Sequence, residues 1–417
     1  VKFQDLENEI RNYLYENWET TKFGTYNLYF AFFELGLKLL SEKGKLGYIT
    51  PNNYFTSLSG ECLRNYFQNK RCIDCIVDFN STKVFDVQTY TAITFINKKQ
   101  NSGINYARID EEQKPQDFVK NILFTENAYD DLNVRKWRLL CGVERENISK
   151  IENVGFPIGH LFDICVGIAT LKDEVYFIDP INDDGTYFEF IKEGRIFRVE
   201  KDITRPLIKI SDMKNQSDVI SNRRRIIFPY EKRSSKILPI EEIDMKCKFP
   251  MCYDYFDNVR GVLANRSKGK HIYEPFYAYG RTQGLNRTGI KILTPTFSQY
   301  PRFMLDCQEE GFFTNGYGIY FCNNNSMFAN PISLIENIDV LLKILNSYVM
   351  HYYVKKTSVS IEGGYPCYQK NFIEKFSIPD LTDKEVSEIR CLDNLDDIDK
   401  YMIKLYHLNL PCPNRIS

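Results

Sequence analysis

The chain has 417 residues, 43% of them hydrophobic, with 54 Lys and Arg against 55 Asp and Glu. That is too long for one ordinary domain and ample for sizeable cores, so two or three globular domains are expected. The longest apolar run, Leu28–Leu40, is broken by Glu34 and Lys38, which excludes a membrane span, and the charged stretch Val1–Asn12 has no apolar core of a signal peptide.

Tyr26–Leu40 carries apolar residues at helical spacing and stops at Lys43-Gly44, a helix-ending pair. Leu46–Thr50 reads as a short buried strand closed by Pro51. Ser59–Gln68 reads as a short helix capped by Ser59, with Cys62, Leu63, Tyr66 and Phe67 on one side. Ile73–Phe79 and Thr91–Ile96 are β-branched strands. Helix and strand alternating in this way predict an α/β sheet.

Residues 101–153 are polar and irregular and read as a bridge, with a helix-like stretch at Val134–Cys141. From residue 154 to the end, aromatic and β-branched segments with short turns predict an α+β domain. It includes a strand at Glu174–Ile178, a long helix at Ile335–Lys355 and an acidic helical tail.

The net charge of −1 conceals an asymmetry. Arg260–Lys291 holds seven Lys and Arg against Glu274 alone, and Asp380–Asp399 holds eight acidic residues against Lys384 and Arg390. A local basic stretch in a neutral chain points to a polyanion site, set against the commoner reading of a solvated surface. Twelve cysteines make no disulfide framework. Cys72 and Cys75 form a CxxC without a second ligand pair, so they read as buried free thiols of a reducing cytoplasm rather than a zinc site. His160, His271, His351 and His407 lie at no metal-ligand spacing.

More specific text runs from Tyr26 to Ile96. It comprises Tyr26-Asn27-Leu28-Tyr29, Phe33-Glu34, Gly44-Lys45-Leu46-Gly47-Tyr48-Ile49-Thr50-Pro51-Asn52, Leu63-Arg64, Ile76-Val77-Asp78-Phe79, Val84-Phe85 and Thr89-Tyr90-Thr91-Ala92-Ile93. In order and spacing this resembles the second half of the catalytic domain of adenine-N6 DNA methyltransferases, of the kind fused to or paired with type II restriction enzymes. The resemblance implies the fifth, sixth and seventh strands of a sheet that works on a base rotated out of the duplex. It also implies that Phe85 stacks on the extruded adenine; the residues alone would sooner make Phe85 a core aromatic.

The same family uses an Asn/Asp-Pro-Pro-Tyr/Phe loop and a glycine-rich turn for S-adenosylmethionine. No Pro-Pro occurs in the chain, and Asn330-Pro331-Ile332-Ser333 lacks the aromatic. Gly316-Tyr317-Gly318 runs into Ile319-Tyr320-Phe321, which reads as strand rather than a helix start. The register therefore places the donor site and catalytic loop ahead of Val1. The chain is expected to be the rear part of a longer enzyme or one half of a split one, completed by a missing N-terminal half or a complementary chain, and inactive by itself. The expected edge of Leu46–Thr50 should then pair with another chain or be shielded by Val1–Phe23.

Residues 154–417 resemble, more loosely, the DNA target-recognition domain of that family. The matching text is Ile158-Gly159, Gly167-Ile168-Ala169-Thr170, Thr204-Arg205-Pro206-Leu207, Arg225-Ile226-Ile227-Phe228-Pro229-Tyr230, Leu345-Asn346-Ser347, Gly363-Gly364-Tyr365 and Phe376-Ser377-Ile378-Pro379. Arg and Lys suit phosphates and guanine, Asn and Gln suit adenine. The candidate DNA-binding residues are Arg260, Arg266, Lys268, Lys270, Arg281, Gln283, Asn286 and Arg287. Arg223, Arg224 and Arg225 are candidates for phosphate contact or a structural ion pair, and Lys355 and Lys356 for a backbone clamp. The expected organisation is residues 1–100 as the rear half of the catalytic domain, 101–153 as a bridge and 154–417 as the recognition domain. A specificity module without catalysis, serving a separate methyltransferase or nuclease chain, is the alternative.

Overall fold

The computed structural model describes residues 3–80, 82, 84–86, 90–109, 113–234, 236–266, 271–321, 336–358 and 365–411. Thr89, Lys268, Lys270, Asn330 to Ser333, Gly363 and Gly364 lie outside the described residues. The chain mixes helices with several sheets and divides into two compact units, Val1–Ser149 and Lys150–Ser417. None of its described helices is long and apolar enough to cross a membrane.

The first unit is built on a five-stranded sheet. Its strands are β1 (Lys45–Pro51), β2 (Ile73–Asp78), β3 (Thr91–Asn97), β4 (Gly103–Arg108) and β5 (Thr125–Ala128), in the order β1-β3-β2-β4-β5. β3 runs antiparallel to both β1 and β2, with Thr94 opposite Tyr48 and Ile76, while β4 is parallel to β2. β1, β2 and β4 therefore all point the same way, and their carboxyl ends share one rim of the sheet.

Alternation along β2 covers both faces, as a two-sided sheet requires. Ile76 packs with Phe33, Leu63 and Phe67 from the helices Tyr29–Leu39 and Glu61–Lys70, whereas Val77 packs with Phe79, Ala107, Ile109 and Phe118. The second helix opens after Gly60, and the cap one turn earlier is Ser57, which accepts from the Gly60 amide at 3.2 Å; Ser59 does not cap it.

Residues 101–149 of the expected bridge fall in this unit, and residues 103–108 and 125–128 add two strands to its sheet. Val134–Cys141 is not helical. The buried Arg64 takes up its main chain instead, donating to the carbonyls of Val134 and Arg135 at 2.7 Å each and to those of Ser57 and Tyr54. Burial lowers the Arg64 pKa to about 10.

β1 is half exposed rather than buried, because it is an edge strand; Ile49 is 43% exposed. Thr20 binds the Glu34 carboxylate at 3.0 Å through its amide, the helix Tyr29–Leu39 packs on β1, and no described strand pairs with the outer edge of β1.

The second unit has two four-stranded sheets. One runs in the order Phe312–Thr314, Thr204–Lys209, Arg225–Ile227 and Phe177–Ile178. The other runs Met304–Asp306, Lys291–Pro295, Gly316–Phe321 and Phe162–Val166. Tyr255 and Phe256 of the helix Pro250–Asn258 join Tyr176, Tyr277 and Tyr279 in an aromatic core. The hairpin Tyr187–Lys192 to Arg195–Glu200 turns at Glu193-Gly194, both at positive φ, as a two-residue hairpin turn requires.

Glu174–Ile178 is not a continuous strand. Asp173–Tyr176 is a helical turn held by Thr170, whose hydroxyl meets the Asp173 carboxylate at 2.6 Å, and only Phe177–Ile178 is extended. The long helix is two helices, Ile338–Leu345 and Tyr348–Thr357. Asn346 breaks it by bonding the Phe303 backbone in both directions, and the Asp399 carboxylate accepts from the Tyr348 amide at 2.7 Å to start the second helix. The acidic tail is helical, at Asp383–Arg390 and Leu395–Leu405.

Candidate functional site

In an α/β sheet, ligands are commonly taken outside the carboxyl ends of the strands. The rim formed by β1, β2 and β4 carries Asn52, Asn53, Asp78, Asn80 and the connection that holds Phe85. Val84 packs on the Val77 and Phe79 cluster, while Phe85 is 46% exposed. The reading of Phe85 as a core aromatic is thereby overturned.

Asp78, at the end of β2, is buried. One carboxylate oxygen accepts from Asn52 Nδ2 and from the Asn80 amide, each at 2.9 Å, and the other accepts from the Tyr106 hydroxyl at 2.7 Å. Burial, reinforced by the Asp78 charge, pushes the Tyr106 pKa well up, so the phenol stays a donor. Asn80 sits at φ 49, a left-handed conformation that Asn tolerates. On the β1 side, Tyr29 donates to Asn53 Oδ1 at 3.2 Å, beside a cavity of about 190 Å³ lined by Tyr26, Asn27, Asn53 and Ser59. Sequence reasoning missed this cluster, although Asp78-Phe79-Asn80 after a strand is a readable side-chain turn.

In the second unit the residues 280–287 lie along 163–170. The Gly280 amide donates to Thr170 at 2.8 Å, Gln283 Nε2 to the Gly167 carbonyl at 3.1 Å, and Arg287 pairs with Asp163 at 2.8 Å. Gly284 has φ 75 and faces the Gly167 backbone, a turn that favours glycine. Arg281 and Asn286 are exposed on this segment and have no side-chain hydrogen bond or ion pair among the described residues.

The arginine triplet separates into three environments. Arg224 is held by Asp179 at 2.8 Å and Asp212 at 2.7 Å, a structural ion-pair set that raises its pKa. Arg225 donates to the Thr204 hydroxyl at 3.1 Å and lies over the Phe188 ring. Arg223 is exposed, has no partner among the described residues and lines a cleft of about 360 Å³ with Asn182, Asn222 and Gln308.

Two of the other candidates are tied into the fold. Arg266 is 2% exposed and donates to the Leu263, Phe276 and Ala278 carbonyls and to the Tyr176 hydroxyl. It is a core brace, so its assignment to DNA is corrected. Arg260 pairs with Asp257 at 2.9 Å and stacks on Phe276 with 3.6 Å to the ring centroid. Lys355 is exposed, and Lys356 lies 5.9 Å from the Tyr352 ring.

The Gly316-Tyr317-Gly318 segment does not fit S-adenosylmethionine. Gly316 and Gly318 lie within a strand paired on both sides, where an added Cβ would meet the Thr294 carbonyl and, at 2.6 Å, the Phe313 ring. These glycines admit neighbouring strands and rings, not a nucleoside.

Residues 1–85 match the family described as Eco57I restriction-modification methylase. The chain is 24% identical over 414 residues to the Type II restriction enzyme and methyltransferase RM.Eco57I of Escherichia coli, covering 94% of this chain and 40% of that protein. It is 23% identical over 428 residues to the Type II methyltransferase M.BstVI of Geobacillus stearothermophilus, covering 95% of this chain and 70% of that one. The chain is a relative of the Type II restriction-modification methyltransferases. It spans from less than half to about 70% of the length of these two relatives. Among solved structures, it is similar to the type IIG restriction endonuclease BpuSI, at 14% identity and a TM-score of 0.41, covering 97% of this chain and 52% of that one. It is also similar to the type IIL enzyme MmeI, at 11% identity and a TM-score of 0.48, covering 99% of this chain and 54% of that one.

Proposed function

We propose that this chain is the base-holding and DNA-recognition part of a site-specific adenine-N6 DNA methyltransferase of a restriction-modification system. The observation that carries the reading is the exposed Phe85 on the carboxyl rim of a sheet whose first two strands, β1 and β2, fall within the methylase family match. A ring held out from the rim offers a face to a base rotated out of the duplex. Residues 1–149 then serve the extruded base, and the second unit reads DNA. Arg223, Arg281 and Asn286 are exposed and unpartnered among the described residues, so they are the side chains most available to phosphates and base edges. Gln283, Arg287, Lys355 and Lys356 are secondary members of that surface.

The methyl donor and catalytic loop come, in this reading, from a preceding segment or a complementary chain. The absence of Pro-Pro from the sequence and the strand position of Gly316-Tyr317-Gly318 support it. A specificity module without catalysis would share the second unit but has no use for an exposed Phe85.

Binding of the chain to random-sequence duplexes at two salt concentrations, with and without S-adenosylmethionine, tests the proposal. Salt-sensitive binding indifferent to S-adenosylmethionine is expected. Binding that requires S-adenosylmethionine, or N6-methyladenine formed by this chain alone, would overturn the division of labour. No salt-sensitive binding would overturn the recognition role.

A further inference from the structure

The connection that presents Phe85 leaves β2 at Asn80 and re-enters the sheet at Tyr90, just before β3. A single residue outside it bonds both ends. The Asn52 main-chain amide donates to the Tyr90 carbonyl at 3.0 Å. Its side-chain Nδ2 donates to Asp78 Oδ1 at 2.9 Å and reaches the Asn80 carbonyl at 3.4 Å. Asn52 directly follows Pro51 at the end of β1, two strands away from β2 in the sheet, so it spans the width of the intervening strand. Asp78 completes the collar by accepting the Asn80 amide and the Tyr106 hydroxyl.

Side-chain identity matters here. A connection tied only by its flanking strands has freedom at each end; a third strand bonded to both ends removes it. Asn is the smallest side chain that donates from Nδ2 while carrying no charge beside the buried carboxylate. Aspartate in its place would lose the donor and set two carboxylates together, and a donor lost from a charged, buried acceptor is costly.

We propose that Asn52 is the positioning residue for Phe85: by joining Asp78 and Asn80 to Tyr90 across the rim, it fixes the exposed ring where an extruded base would stack. The inference rests on the stacking role given to Phe85 above, and its test separates the two. Asn52→Asp removes the clamp, and the exchanged pair Asn52→Asp/Asp78→Asn restores one hydrogen bond between the two side chains.

Two measurements on the full chain are needed. Hydrogen exchange followed by mass spectrometry reads the peptide covering Val84–Asp86 against core peptides containing Ile76 and Thr94. Photo-crosslinking to a duplex carrying 5-iodouracil at a mispaired position reads adduct formation on Phe85. Asn52→Asp is expected to speed exchange at Val84–Asp86 by about tenfold, with the Ile76 and Thr94 peptides unchanged. It is also expected to cut the Phe85 adduct by roughly fivefold, with partial recovery of both in the exchanged pair.

Exchange and adduct both unchanged in Asn52→Asp would overturn the inference. Equal acceleration at Ile76 and Thr94 would overturn it too, by making Asn52 a general support of the sheet. A wild-type chain that gives no Phe85 adduct, while Asn52→Asp still loosens Val84–Asp86, supports the clamp and overturns the stacking role.

Discussion

Arg266 donates to the Tyr176 hydroxyl at 2.8 Å within the buried core of the second unit. The same hydroxyl donates to the Tyr277 and Ala278 carbonyls, at 3.0 and 3.1 Å. One guanidinium thus organises the turn that returns the chain to the aromatic core, and removing it strands several polar atoms.

Arg266→Met should therefore cost stability rather than DNA contact. Leaving the Leu263, Phe276 and Ala278 carbonyls short of donors costs about 3 kcal/mol or more. Chemical denaturation of the second unit reads the loss. At temperatures where the variant stays folded, its DNA binding should keep the wild-type salt dependence.

Arg223→Ala and Arg281→Ala should behave in the opposite way. Neither side chain has a partner among the described residues, so denaturation midpoints should move by less than about 0.5 kcal/mol in equivalent stability. Each should lower the slope of log affinity against log salt by about 1 if it meets a phosphate. A slope equal to wild type in both variants would remove these residues from the interface.

Thiol chemistry should sort the cysteines by burial. Burial pushes the Cys72 thiol up to about 12 and the Cys75 thiol up to about 11, whereas Cys247, Cys307 and Cys391 are exposed. Among the described cysteines, iodoacetamide at about pH 8 should label Cys247, Cys307 and Cys391 in the native chain and reach Cys72 only after denaturation. Rapid native labelling of Cys72 would contradict the packing of β2.

The helix Asp383–Arg390 begins with a capping box in which Glu385 accepts from the Thr382 amide at 2.8 Å and hydroxyl at 2.7 Å. Those bonds hold the Glu385 carboxyl below its ordinary value. A depressed folded pKa stabilises the helix fully above the unfolded value of about 4.3 and ceases to do so as pH falls through the folded pKa. Hydrogen exchange at Val386–Arg390, corrected for intrinsic rates, should show protection falling in that acid range, and Glu385→Gln should flatten the dependence.

Local patterns made much of the first unit legible. The alternation in Ile73–Phe79 and Thr91–Ile96 and the helical spacing of Tyr26–Leu40 each mark a real element, because hydrophobic period follows directly from what an element buries. Failures arose where a distant partner decides the backbone. Val134–Cys141 has a helical composition, but Arg64, some 70 positions earlier, claims its carbonyls. Ile335–Lys355 reads as one helix until Phe303 and Asp399 engage Asn346 and Tyr348.

Candidate residues followed the same division. Charge alone could not tell Arg266, spent on the core, from Arg281, left to solvent, although both lie in one basic stretch. Family register singled out Phe85, and its exposure goes with Val84 taking the inward place. The Asn52 collar has no sequence period at all; it exists because three strands end on one rim.

The open side of β1 has a material consequence. Its outer main-chain groups have no strand beside them among the described residues, and Ile49 is exposed on it. Such a rim is a template for any extended peptide of compatible register, whatever its source. Concentrated stocks of the isolated chain will thus drift toward stacked, lengthened sheets, and a short capping strand fused or added in excess is the rational additive for keeping it dispersed.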